Sequence, residues 1–474
     1  MIPEEGGGLF DGVFARGEVD TGSGAWLRAM LETEAALARA LERAGLAPAG
    51  AGEAVTAAAA PDSIDAASLG RQAALTGNPV PALVRELTRL VPGPAAAAVH
   101  QGATSQDIID TAAMLLARRG LAAADRDLGT AAAAAARLAG AHRDTVMIGR
   151  TLLQQAVPVT FGLVAAGWLT ALDEARGALA RVATERLAVQ FGGAAGTLAP
   201  LGGDGPRVAR LLAAELGLAA PVLPWHTDRL RIVEVAAACA GAAAALGKIA
   251  RDVTLLAQPE VAEAHEGEPA GPGAGEGTTR RGSSSAMPHK RNPVASIAVL
   301  GCTRRVPGLL ATLAAAAEQE HQRAAGAWHA EWEPFADLLR LTGSAAAWGG
   351  DLLTGLTVDP ARMRANLEAA HGLPLAEHLA GLLAPAVGRT GAHDLVARAA
   401  AHAARAGLPL REAMLGLPEA RQQLDAAGIT PGQLDTALDP AGYLGAAREF
   451  TDAALAAHAA LVTGAAAGGR APAG

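Results

Sequence analysis

The stretch from Ile232 to Leu256, IVEVAAACAGAAAALGKIARDVTLL, carries apolar side chains at Ile232, Val235, Cys239, Ala242, Leu246, Ile249, Val253 and Leu256. The steps between them alternate 3 and 4 without a fault, which puts one continuous apolar seam on a helix. Twenty-five residues rising about 1.5 Å each make a rod of about 37 Å, longer than a small domain is wide, so the helix is expected to pack in an extended bundle. Two further stripes also advance in steps of 3 and 4, though not in strict alternation in the first. Phe161, Val164, Trp168, Leu172, Ala175, Leu179 and Val182 define one, and Val299, Cys302, Val306, Leu309 and Leu313 the other. Other helices are expected around Trp26 to Arg43, Asp107 to Ala139 and Phe335 to Leu353, and strand signals are scarce.

Composition agrees with a helical protein. Of 474 residues, 51% are hydrophobic but only 3% aromatic, and alanine, the strongest helix former, supplies much of the rest. The length leaves room for two to four domains. Lys plus Arg is 39 against 47 for Asp plus Glu, a net charge of −8, with no extended basic block to neutralise a phosphate backbone, so nucleic acid is not the expected partner. The N-terminus MIPEEGGGLFDG has neither a basic nor a long apolar region of the secretory kind, and a cytoplasmic protein is expected. Between Glu234 and Lys248 the most apolar window, Val235 to Gly247, falls short of the roughly 20 residues of a bilayer span, so no membrane segment is expected. Cys239 and Cys302 lack CxxC or HxxxH companions and sit on the apolar stripes, which reads as two buried thiols.

The segment Arg280 to Pro293, RRGSSSAMPHKRNP, holds Arg280, Arg281, Lys290 and Arg291 and no carboxylate in a chain that is acidic overall. Three hydroxyls, Ser283, Ser284 and Ser285, share it. A serine near fixed cations and backbone N–H groups can be stabilised as an alkoxide and move protons; a solvated basic loop with a serine linker has the same composition. The Gly- and Pro-rich run from Pro259 to Gly282 just before it is where a lid over a site is expected. HQGATSQD, from His100 to Asp107, offers the Thr104 and Ser105 hydroxyls at the start of a helix, a place that attracts carboxylates and also the ordinary place for an N-cap. GRTLLQQAVPVTFG, from Gly149 to Gly162, puts Thr151, Gln154 and Gln155 ahead of a long helix, where polar residues are commonplace.

Together the three segments resemble those of the fumarase/aspartase superfamily. Its signature loop GSSxMPxKxNP is matched at Ser284, Ser285, Met287, Pro288, Lys290, Asn292 and Pro293, with Ser283 where the glycine usually stands. The resemblance implies an all-α, three-domain subunit: an N-terminal helical domain over 1–111, a central long-helix bundle over 112–356 with a mobile loop at about 262–293, a C-terminal helical domain over 357–462, broken by Pro360, Pro374, Pro385, Pro409, Pro418, Pro431 and Pro440, and a disordered tail over 463–474. It also implies a homotetramer whose twenty central helices form one core and whose sites are shared between subunits, a small polycarboxylate substrate, and neither metal nor cofactor.

Within the superfamily the chain is most similar to the 3-carboxy-cis,cis-muconate cycloisomerase family. HQGATSQDIIDTA and WHAEWE, from Trp328 to Glu333, look like that family's versions, as does PWHTDRLR from Pro224, with Asp228 and Leu230 as departures. Leu152 stands where argininosuccinate and adenylosuccinate lyases and fumarases have a histidine in GRTHxQ. The resemblance implies interconversion of 3-carboxy-cis,cis-muconate and 4-carboxymuconolactone in protocatechuate catabolism through the β-ketoadipate pathway. Ser284 would move the carbon-bound proton, with Ser283 as the neighbouring choice. Lys290 and Asn292 would hold the carboxylate that gathers charge, Thr104 and Ser105 a second one, and Thr151, Gln154, Ser285 and Met287 would line the pocket. His100 is a further site residue, or a structural histidine near a helix start. Arg280 and His329 are further candidates, although WHAEWE also reads as a packed helix with Trp328 and Trp332 inward and Glu331 and Glu333 solvated or structural. A lyase that expels an amine or hydroxide benefits from protonating it. In lactone formation the nucleophile is the substrate's own carboxylate, ionised at neutral pH with a pKa of about 4, and needs no imidazole. Adenylosuccinate lyase, another fumarate-releasing lyase, or a non-catalytic structural relative are the competing readings.

Overall fold

The computed structural model describes residues 8–267, 281–282, 287 and 289–468. Arg280, Ser283, Ser284 and Ser285 lie outside the described residues, as does the chain beyond Gly468. The protein is mostly helical and forms two compact units, each discontinuous in sequence. One comprises Met1–Gly129, Glu174–Ala250 and Ala295–Gly350, the other Thr130–Asp173, Arg251–Val294 and Asp351–Gly474.

Four helices are long: Ser105–Ala141, Phe161–Glu185, Leu230–Leu256 and Ala327–Thr354. All eight seam positions of Leu230–Leu256 are buried, as are the stripe positions of Phe161–Glu185 except half-buried Val164. Alanine and glycine let neighbouring helices approach closely: a Cβ on Gly349 would lie 2.5 Å from Leu246 Cδ2. The stripe from Val299 to Leu313 is carried by two helices, Val294–Thr303 and Val306–Ala315. The chain turns at Arg304 and Arg305 because Pro307, in the first turn of the second helix, has no N–H to continue the first. By length and composition alone Leu230–Leu256 and the run Val294–Ala315 are apolar enough to cross a bilayer, a test that the buried core helix of a globular protein also passes. Glu234 and Lys248 interrupt the apolar run but not the helix, and half of the first helix's most apolar window is buried inside the protein.

The first unit adds the helices Ser23–Arg43, Ala51–Ala58, Ala66–Thr76, Val80–Leu90 and Gly205–Leu216. The second contains the four strands found among the described residues. β1 (Val146–Thr151) and β2 (Gln154–Thr160) form an antiparallel hairpin with a bulge between Ile148 and Arg150; at that bulge a Cβ on Gly149 would meet the Val157 carbonyl at 2.6 Å. β3 (Ala264–Glu266) pairs antiparallel with β4 (Leu356–Val358). Trp168 donates from Nε1 to Asp252 at 2.7 Å and meets Phe161 edge-on. Between Ala376 and Leu438 helices of 7 to 18 residues surround a small core of Leu379, Leu383, Leu395, Leu410, Met414 and Leu424. Pro360, Pro418 and Pro431 open helices, as their fixed φ favours. Pro385 does not break one: it lies in the last turn of Ala376–Val387, where it gives up its own N–H bond with only two residues of helix left to run. The final helix runs from Ala447 to Gly468, past residue 463, because an alanine run without large side chains still favours helix.

Cys239 and Cys302 are both free and buried. Burial pushes the Cys239 thiol up to about 12 and raises that of Cys302. The native protein should therefore leave both unreactive toward Ellman's reagent at neutral pH, with two thiols per chain released in denaturant. Rapid native labelling of either would contradict this core packing.

Candidate active site

In the first unit the chain turns sharply between His100 and Thr104 and enters the helix Ser105–Ala141. His100 has φ +59° and Gly102 φ +78°. A Cβ on Gly102 would lie 2.8 Å from the Leu201 side chain. Asp107 holds this turn. Its Oδ2 accepts the N–H of Thr104 at 3.0 Å and of Gly193 at 2.9 Å, and its Oδ1 accepts the N–H of Gly192 at 3.0 Å and His226 Nε2 at 2.7 Å. With all four bonds made and the side chain buried, Asp107 is structural. The half-buried Thr104 and Ser105 hydroxyls make no hydrogen bond among the described residues, so this turn presents two spare hydroxyl donors at a helix N-terminus. His100 is held by Glu34 through Nδ1 at 2.7 Å. Burial works against a charged imidazole there, but the Glu34 hydrogen bond and charge, with Asp107 behind, outweigh it and raise the His100 pKa above its ordinary value.

Behind the turn lies a buried ion cluster. Arg229 spans Asp110 (Nη1 to Oδ2 2.7 Å, Nη2 to Oδ1 3.0 Å) and Glu331 (Nε to Oε1 3.0 Å, Nη2 to Oε2 2.6 Å). Trp328 Nε1 and Gln106 Nε2 donate to Asp110, Gln319 Nε2 donates to Glu331, and the Arg229 guanidinium lies 4.8 Å from the Trp225 ring centre. Burial alone would lower the Arg229 pKa; the Asp110 and Glu331 charges outweigh it and keep the guanidinium charged. Glu331 is thus a buried partner rather than a solvated acid. His329 is exposed, its ring 5.1 Å from Trp328 and 4.7 Å from Trp332, and the two indoles meet edge-on at 4.8 Å. His329 makes no hydrogen bond among the described residues.

In the second unit a cavity of about 740 Å³ is lined by Arg281, His289, Lys290, Arg291, Asn292 and His265, with Glu266 the acid among its described lining. Two of the expected residues, Lys290 and Asn292, therefore share one cationic pocket. Arg281 is partly spoken for by Asp351 at 3.0 Å. Gly282 accepts the N–H of Asn292 at 2.9 Å, and a Cβ on Gly282 would lie 2.3 Å from the Asn292 carbonyl, so glycine is required where the two flanks of the signature segment meet. Met287, 41% exposed, accepts the Lys290 N–H at 3.0 Å.

Thr151 and Gln154 face each other across the β1–β2 hairpin and are exposed. They are not among the described lining of the Lys290 pocket. The segment forms strands rather than a polar lead-in to a helix. The two-residue tip is Leu152 and Leu153, with φ +52° and +64°, 96% and 71% exposed. Such a turn ordinarily takes Asn-Gly; a side chain at positive φ costs on the order of 1 to 2 kcal/mol. The stem is fixed by Arg150, which makes a two-pronged contact with fully buried Glu263 at 2.8 and 2.9 Å, and Asn366 supports Glu263 at 2.8 Å. Glu34, Glu263 and the Arg229 cluster carry no local sequence signal, because their partners are 66 to 119 residues away.

Residues 21–308 match the family described as Lyase, and residues 372–454 the family described as Adenylosuccinate lyase C-terminus. The chain belongs to this lyase family, within the fumarase/aspartase superfamily. It is 46% identical to a nitrosuccinate lyase from Streptomyces davaonensis over 92% of both chains. It is also 46% identical to a 3-carboxy-cis,cis-muconate cycloisomerase from Bradyrhizobium diazoefficiens over 90% of this chain and 93% of that one. Among solved structures, the 3-carboxy-cis,cis-muconate lactonizing enzyme from Pseudomonas putida superposes with a TM-score of 0.85 at 40% identity, covering 95% of this chain and 99% of that one.

Replacing Arg229 by Met should leave Asp110 and Glu331 buried without their cation and cost roughly 3 to 5 kcal/mol, read as a lowered denaturant midpoint. A stability loss under about 1 kcal/mol would mean that the cluster is not closed to water.

Proposed function

We propose that this enzyme is a 3-carboxy-cis,cis-muconate cycloisomerase, an intramolecular lyase. The carrying observation is Leu152 at the hairpin tip, in a chain whose likeness to cycloisomerases extends over nearly its full length. No imidazole stands there to protonate a basic leaving group, and lactone formation requires none. In the closing direction a substrate carboxylate oxygen adds to the double bond. The π electrons move onto the carbon next to a second carboxylate, which becomes an aci-carboxylate, and Ser284 gives that carbon its proton. In the opening direction Ser284 takes the proton back and the C–O bond breaks. Lys290 and Asn292 hold the aci-carboxylate, with Ser285 and Met287 beside them. Thr104, Ser105 and His100 hold another carboxylate, and Thr151 and Gln154, which lie outside the described lining of the Lys290 pocket within one subunit, line the site of a neighbouring subunit. Holding nucleophile and acceptor together can contribute about 7 to 11 kcal/mol.

The enzyme works as a homotetramer in the cytoplasm, with the bundle of 112–356 at its core and each site completed by neighbouring subunits. Support comes from the hairpin tip: two leucines exposed at positive φ are costly on a free subunit and sensible where another copy covers them.

A second reading is favoured by the equally similar nitrosuccinate lyase. Ser284 would take the proton from the carbon adjacent to the one bearing nitrogen, the C–N bond would break with its electron pair, and nitrite and fumarate would leave. Nitrite, like a carboxylate, is weakly basic, so Leu152 argues against amine or hydroxide expulsion but not against this elimination.

Spectrophotometric assays with carboxymuconate, nitrosuccinate and adenylosuccinate separate the readings. Turnover of the first alone is expected, whereas turnover of nitrosuccinate with carboxymuconate inert overturns the proposal in favour of the second reading. Lys290→Ala should cost about 100- to 1,000-fold in kcat, the loss typical for one oxyanion donor. Ser284→Ala should abolish turnover; an unchanged rate would move the proton transfer to another residue.

A further inference from the structure

Glu34 lies in the middle of the helix Ser23–Arg43 and is completely buried, among Met30, Leu31, Leu37 and Ala38 of the same helix. A carboxylate in such surroundings is costly unless its oxygens are satisfied. Both oxygens go to one residue: Oε1 meets His100 Nδ1 at 2.7 Å, and Oε2 accepts the His100 backbone N–H at 3.0 Å. His100 stands at φ +59°, a conformation that non-glycine residues seldom adopt, so Glu34 clamps both its ring and its backbone. With Nδ1–H donated to Glu34, Nε2 is the nitrogen left for a ligand. Thr104 and Ser105 follow four and five residues later at the helix start. The charges acting on His100 are Glu34, from the Ser23–Arg43 helix, and Asp107, from the Ser105–Ala141 helix, both negative. His226 lies on the far side of Asp107.

We propose that Glu34 is a positioning residue that holds His100 as an imidazolium whose Nε2–H grips one carboxylate of the polycarboxylate substrate, beside the Thr104 and Ser105 hydroxyls. This deepens the proposed function and rests on its placing His100 in the site. It accounts for the geometry economically. The buried negative charge is matched by the imidazolium when the site is empty, and the substrate adds its own carboxylate on the other nitrogen. Because the grip is made to the substrate in its ground state as well as in the transition state, weakening it raises KM more than it lowers kcat. The raised His100 pKa is in keeping with this role.

The test is Glu34→Gln in the full-length enzyme, which keeps the shape and removes the charge. Loss of the carboxylate lowers the imidazole pKa, so the protonated form disappears sooner as pH rises. The alkaline limb of kcat/KM should move down by about one pH unit, with KM raised several-fold at pH 8 and kcat little changed. His100→Gln should remove that limb, and adding Glu34→Gln to it should move nothing further. A limb that stays in place, or moves up, in a folded Glu34→Gln enzyme overturns the proposal. Histidine NMR on the wild-type protein, with His100→Gln identifying the resonance, needs neither a Glu34 variant nor turnover. A His100 midpoint above the free-histidine value, with the proton fixed on Nδ1, supports the assignment, and a midpoint at or below that value refutes it. Absence of carboxymuconate turnover by the wild type at every pH would instead refute the assigned reaction, and the NMR titration would still decide the role of Glu34.

Discussion

Three long helices begin at one guanidinium. Asp110 sits in the second turn of Ser105–Ala141, Arg229 immediately precedes Leu230–Leu256, and Glu331 lies early in Ala327–Thr354. Alanine-rich surfaces slide easily, because methyl groups offer little relief to fix register. A charged fork with two carboxylates, sealed from water, does fix it: any shift would strand a buried charge. The turn from His100 to Thr104 inherits that precision through Asp107, one helical turn before Asp110. The positions of two hydroxyls and an imidazole thus depend on an interaction buried behind them.

The sequence was most legible where one helix carried its own evidence. The seam from Ile232 to Leu256 is buried at every position, and the third stripe survives even the turn at Arg304. It was least legible where the partner is remote in the chain. Nothing near Glu34 points to His100, nor near Arg150 to Glu263. The β1–β2 hairpin was missed for another reason. Val146, Ile148, Val157 and Val159 are good strand formers, but the tip that joins them is Leu-Leu instead of a turn pair, and Pro158 speaks against a strand. Pro385 and the alanine tail misled in the same direction, one read as a break inside a helix and the other as disorder where helix continues.

The two units carry candidate regions of different chemistry. One part is a hydroxyl-bearing helix start steadied by buried carboxylates. The other is a cationic pocket around Lys290 and Asn292, close to where Gly282 and Asn292 meet. Both suit a polyanion. The same scaffold carries relatives that cyclise and relatives that eliminate, so the side chains restrict the reaction more than the overall fold does.

The hairpin tip has an evolutionary consequence. Leu152 is almost wholly outside the subunit's own core, so changing it disturbs no packing within the chain that bears it, while the stem is locked by Arg150 and Glu263. Such a position can drift without a folding penalty to that chain. A lineage could therefore rewrite this tip by changing a single codon, leaving the remainder of the scaffold untouched.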